Sequence, residues 1–93
     1  MIVSFGDPET EALYHGGRSR RFPPDITKTA LRKLDMIEAA QDLRDLRAPP
    51  GNRLEALRGN LGGHHSIRVN DQWRIVFRWT EKGAEDVRLR DYH

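Results

Sequence analysis

The chain has 93 residues, no cysteine and a formal net charge of only +2. That length makes one domain with a modest core, and the missing thiols exclude disulfides, zinc–thiolate sites and cysteine nucleophiles. No apolar run approaches membrane-spanning length, and the opening Met1-Ile2-Val3-Ser4-Phe5 lacks a signal-peptide pattern, so the expected setting is the cytoplasm with no membrane partner.

In chain order, Ile2 to Phe5 reads as a short first strand. Asp7-Pro8-Glu9 is a helix start, with Asp as cap, Pro at the first helical position and a carboxylate in the first turn. That helix should run to about Tyr14 and stop at Gly16-Gly17. The stretch 15–24, rich in Gly, Arg and Pro, reads as a basic surface loop with little to bury and the most mobile part of the single domain 1–93. Asp25 can cap a longer helix whose apolar stripe is Ile26, Ala30, Leu34, Ile37 and Leu43, with Arg32, Lys33, Asp35 and Glu38 off the stripe. Leu46 belongs either to its last turn or to a short extra one, and Ala48-Pro49-Pro50-Gly51 ends it.

The remainder reads as strands. Arg53 to Leu57 alternates weakly, Arg58 to Gly63 is a turn, and His64 to Val69 places Ile67 and Val69 on one face. Asn70-Asp71 is a tight hairpin turn. Gln72 to Thr80 is the clearest strand, with Trp73, Ile75, Phe77 and Trp79 on one face and Arg74, Val76, Arg78 and Thr80 on the other. Residues 81–85 turn into a final strand from Asp86 to about Asp91. The fold class is α+β: a short N-terminal strand and two to three helices packed on an antiparallel sheet of about four to five strands.

Thirteen of the sixteen cations are arginine, and residues 47–93 carry nine cations against six acids. Guanidinium groups suit phosphate and stack on bases, so a phosphate-rich partner fits, although a genome that favours arginine codons gives the same composition. Arg74 sits mid-strand, where a rigid element holds its guanidinium. Arg78 shares its face. Arg58, beside Gly59, can reach a phosphate from a turn or simply be a solvated loop residue. The run Arg18-Ser19-Arg20-Arg21 reads equally as a basic footprint or as a solvated loop. Alternation through Val87 and Leu89 carries Asp91-Tyr92-His93 on the end of a patterned strand, which can fix the phenol and the imidazole in a site. The pair His64-His65 makes poor metal ligands, because neighbouring strand residues point to opposite faces, so neither a metal nor a cofactor is expected. Arg, Tyr and His together suit metal-free RNA cleavage, in which the ribose 2′-hydroxyl attacks its own phosphate.

The segment Ser66-Ile67-Arg68-Val69-Asn70-Asp71-Gln72-Trp73-Arg74-Ile75-Val76-Phe77, closed by Asp91-Tyr92-His93, resembles the HigB toxins of the RelE/ParE superfamily. The opening Met1 to Phe5 and the segment from Leu43 to Glu55 are similar as well, and resemble its GraT branch closely. The resemblance spans essentially the whole chain. It implies a RelE-like fold and the toxin of a bacterial type II toxin–antitoxin system: a ribosome-dependent endoribonuclease that cuts mRNA and inhibits translation. Its implied partners are a HigA-like helix-turn-helix antitoxin, the 70S ribosome with mRNA, and operator DNA only indirectly through the antitoxin. By this resemblance Arg74 stabilises the phosphate, Tyr92 stacks on the nucleotide, His93 assists proton transfer and Asp91 orients its neighbours. Arg58 falls where relatives place a cation near the phosphate. Glu55 stands where one relative has a histidine, which leaves the general base open. Two other readings stay in play, a ParE-like toxin acting on gyrase and a non-catalytic RNA- or protein-binding module.

Overall fold

The structure, a computed structural model, describes residues 1–16 and 20–92. Two helices precede a four-stranded antiparallel sheet: α1 (Pro8–Gly16), α2 (Pro24–Ala39), β1 (Glu55–Ala56), β2 (His65–Arg68), β3 (Trp73–Thr80) and β4 (Gly83–Asp91), with sheet order β1-β2-β3-β4. The expected first strand is present only as a pair of parallel bridges, Ile2 to Ala84 and Phe5 to Val87. This segment docks along β4 through Val3 N–H to Ala84 O at 2.7 Å and Gly6 N–H to Val87 O at 2.9 Å. Gly83 permits that approach, since its φ of +130° and the neighbouring Met1 carbonyl leave no room for a Cβ.

α1 begins as its sequence dictates. The Asp7 Oδ1 accepts the Thr10 N–H at 2.6 Å, and Glu9 and Glu11 face the positive end of the helix. α2 starts two residues earlier than expected: Pro24 is its first residue, Pro23 is the cap without a side-chain bond, and Asp25 lies in the first turn. The ring of Pro24 presets the helical φ and its missing N–H costs nothing there, so no carboxylate cap is required. Ile26, Ala30, Leu34 and Ile37 are buried as the spacing predicts. Leu43 departs from the stripe, because α2 stops at Ala39 and Leu43 opens a separate 3-10 turn, Leu43–Arg47. In that turn Asp42 accepts the Arg44 N–H at 2.9 Å while Asp45 accepts the Asp42 N–H at 3.2 Å. Leu46 is buried in this extra turn rather than in α2.

The core lies between the helices and one face of the sheet, where Leu13, Leu34, Ile37, Ile67, Ile75, Phe77, Val87 and Leu89 are essentially inaccessible to water. Three side chains depart from the sequence pattern. Phe22, in the stretch expected to bury little, is only 3% exposed and meets Trp73 edge-on with ring centroids 5.5 Å apart. Lys33 leaves the solvent face of α2 and is buried. Val76, on the arginine face of β3, is also buried, in register between Ser66 and Arg88. A register shift between Val76 and Arg78 sets Phe77 against both Asp86 and Val87. At this bulge Asp86 takes a positive φ of 58° and is re-aimed.

Candidate active site

The hairpin β2–β3 places Arg68 directly across from Arg74, and β4 adds Arg90 on the far side of Arg74. Three like charges in one cross-strand row repel, so each needs local compensation. Arg68 pairs with Asp71 in the hairpin turn. Arg74, whose side chain is 12% exposed, is held differently. Its Nε donates to Ser66 Oγ at 2.8 Å and its Nη2 donates to the Arg53 carbonyl at 2.7 Å. Glu55 lies 3.7 Å from Nη2, beyond hydrogen-bond reach. Neutral oxygens therefore do most of the fixing. Nη1 has no hydrogen-bonding partner among the described residues. A rigid guanidinium with a spare donor edge suits an incoming oxyanion.

Arg74 opens into a cleft of about 260 Å³ lined by Arg53, Glu55, Arg68, Asn70, Asp71, Arg74 and Tyr92. The Tyr92 N–H donates to Gln72 O at 2.6 Å, which continues the β4 ladder past Asp91 and ties the aromatic residue to the start of β3. The residue remains 42% exposed. An aromatic face and a cation in one cleft can together hold a base and its phosphate.

Of the residues singled out from the sequence, Arg74 and Tyr92 meet in this cleft. Asp91 pairs with Trp73 at the end of β4 and accepts from Gln72 Nε2 at 3.0 Å, and it does not line the cleft. His93 and Arg18 lie outside the described residues. Arg58 is exposed at the turn before the 3-10 stretch Gly59–Leu61, and Arg20 is exposed before α2. Arg21 bonds Glu9 at 3.3 Å. Arg78 pairs with Glu85 beyond the bulge. None of these last four lines the cleft.

Two cleft arginines, Arg53 and Arg68, escaped the sequence reading. Arg68 was missed because a two-residue turn at Asn70-Asp71 would set it across from Trp73, whereas the observed register pairs it with Arg74. Arg53 was missed because its place depends on a left-handed backbone, φ 44° and ψ 58°, in an irregular loop.

A second polar cluster occupies the same sheet face. His64 Nε2 approaches Asp86 Oδ2 at 3.2 Å, and Arg88 Nη2 reaches Asp86 Oδ1 at 2.9 Å. Burial pushes the Asp86 carboxyl upward, but hydrogen bonds from Arg88 and His64, with their charges, outweigh it and hold the carboxyl below its ordinary range. His65 faces the other way and stacks on Phe77 at 6.4 Å, where burial and then the neighbouring His64 lower its pKa.

A family described as the RelE-like toxin of type II toxin–antitoxin system HigB matches residues 3–93. The chain belongs to the HigB-like toxins. It is 46% identical over 90 residues to Toxin HigB-1 of Vibrio cholerae serotype O1, covering 96% of this chain and 95% of that protein. It is 28% identical over 93 residues to Endoribonuclease HigB of Proteus vulgaris, covering all of both chains. Among solved structures, the Staphylococcus aureus YoeB–YefM heterotetramer superposes with a TM-score of 0.62 at 18% identity, covering 100% of this chain and 98% of that one. The S. aureus YoeB dimer gives 0.60 at 21% identity, covering 99% and 94%. These likenesses show the RelE-like fold of this HigB-like toxin. As the toxin of a type II system it has an antitoxin as cognate partner. No helix among its described residues is long and apolar enough to cross a membrane.

Proposed function

We propose that this HigB-like toxin is an endoribonuclease that cuts mRNA on the ribosome, within a single toxin domain 1–93 acting in the cytoplasm. The observation that carries the reading is the Arg74 guanidinium, fixed by Ser66 and Arg53 in the cleft it shares with Tyr92. The name of the P. vulgaris relative supports the same activity.

In the proposed reaction the ribose 2′-oxygen attacks the adjacent phosphorus and the bond from phosphorus to the 5′-oxygen breaks. The products are a 2′,3′-cyclic phosphate and a free 5′-hydroxyl, with no metal needed. Arg74 stabilises the charge that builds on the non-bridging oxygens, an effect worth about 10²–10³-fold in rate. The Tyr92 ring stacks on the base and sets the in-line geometry. His93 moves the proton, and Asp91 steadies the strand end that carries both. Arg53 and Arg68 add phosphate contacts that raise affinity without reading sequence. Arg18, Arg20, Arg21, Arg58 and Arg78 form an outer footprint on ribosomal RNA. A HigA-like helix-turn-helix antitoxin is the proposed neutralising partner, with operator DNA contacted only through it.

Primer extension on mRNA from cells expressing the wild type, Arg74→Ala and a truncation lacking residues 92–93 tests the reading. Discrete cuts are expected in the wild type alone. Unchanged cleavage in the truncation sinks the proposed site. No cleavage by the wild type favours a gyrase-directed toxin or a binding module.

A further inference from the structure

The carbonyl that orients Arg74 belongs to a strained residue. Arg53, at φ 44° and ψ 58°, is left-handed, a region that residues other than glycine occupy only when their surroundings enforce it. Asn52 supplies that enforcement. It is completely buried, its Nδ2 donates to Leu46 O and Ala48 O at 3.2 Å each, and its N–H donates to Pro49 O at 2.9 Å. Its Oδ1 accepts from Lys33 Nζ, which reaches down from α2.

Lys33 is only 6% exposed, and no carboxylate pairs with it among the described residues. Burial, then Arg32 and Arg68, lowers its pKa. An apolar side chain at this position would pack without the cost of a buried ammonium. The bond to Asn52 is what the ammonium provides instead. Its effect is to anchor the loop 46–53 to the rigid helix α2.

We propose that Lys33 and Asn52 are positioning residues, which hold the Arg53 carbonyl and through it the Arg74 guanidinium in the geometry of the cleavage step. This rests on the reading of Arg74 as the phosphate-binding group. Neither residue touches RNA. The relay runs from α2 through Lys33 Nζ, Asn52 Oδ1 and the Arg53 carbonyl to Arg74 Nη2.

The test compares Lys33→Met, which keeps the side-chain length and removes the donor, in the wild-type and Arg74→Ala backgrounds. The readouts are ribosome-programmed mRNA cleavage by purified toxin and the NMR signal of the Arg74 Nε–H. Lys33→Met is expected to lower kcat about tenfold with KM unchanged, because small displacements of a catalytic group are costly. It should shift the Nε–H signal and cause no further loss once Arg74 is absent. An unshifted signal with wild-type cleavage overturns the proposal, and so does an equal loss in both backgrounds. If Arg74→Ala cleaves like the wild type, the site reading has failed, and the Nε–H signal alone decides whether Lys33 positions Arg74. Should Lys33→Met not fold, Asn52→Asp keeps the acceptor for Lys33 and removes the amide donors to Leu46 and Ala48. It is then expected to give the same loss and the same shift, and wild-type values in it overturn the proposal.

Discussion

Ser66 Oγ accepts the Arg74 Nε–H at 2.8 Å across the β2–β3 pair, and Ser66 is itself completely buried. A small hydroxyl thus fixes one edge of the guanidinium and leaves the other edge to the cleft. Ser66→Ala should loosen Arg74 without removing it. We expect kcat for mRNA cleavage to fall about tenfold, with stability lowered by about 1 kcal/mol, the usual net worth of one such bond. Chemical denaturation and cleavage kinetics on the same preparation check both numbers. Wild-type kcat in the folded variant contradicts the role given to Ser66.

Tyr92 offers an exposed ring to the cleft, and stacking rather than its hydroxyl is expected to matter. Tyr92→Phe should keep most of the activity. Tyr92→Ala should lose about 1–3 kcal/mol of transition-state stabilisation, the typical value of one base–aromatic stack. Single-turnover cleavage by the three proteins separates the possibilities, and equal damage from Phe and Ala shifts the role to the hydroxyl.

Phe22 and Trp73 meet edge-on at 5.5 Å and lie outside the Arg74 cleft. Phe22→Ala should cost about 3–5 kcal/mol of stability, as other large-to-small core substitutions do. Urea titration gives the loss. At a temperature where the variant is folded, its cleavage rate should remain that of the wild type.

Asp86 carries an acid-dependent component of stability. Burial pushes its carboxyl upward, but the hydrogen bonds and charges of Arg88 and His64 outweigh it and hold the folded pKa below the ordinary Asp range. The unfolded chain therefore binds the proton first as pH falls, so this stabilisation is full above the ordinary Asp range and disappears as pH drops through the folded pKa. Asp86→Asn should flatten the stability profile in that acidic window, measured by thermal unfolding against pH. An unchanged slope rules out the contribution.

Much of this protein was legible without its structure because its local signals agree. Period-two alternation from Gln72 to Thr80 settled β3 and put Arg74 opposite the aromatic core. The Asp7-Pro8 pair settled the start of α1. Positions governed by distant partners were not legible. The burial of Lys33 depends on Asn52, nineteen residues later in the chain. Phe22 needed Trp73 to give a loop residue a place in the core.

The sequence by itself determined the α+β class, the strand that carries Arg74, the patterned approach to Tyr92 and the family resemblance, because each rests on short-range periodicity or on contiguous residues. Only the tertiary structure decided which arginines share the cleft. Arg53 and Arg68 line it while Arg58 and Arg78 do not, since that choice follows from strand register, a left-handed loop residue and a bulge at Asp86. Such features arise from contacts between segments far apart in the chain, and no local pattern encodes them.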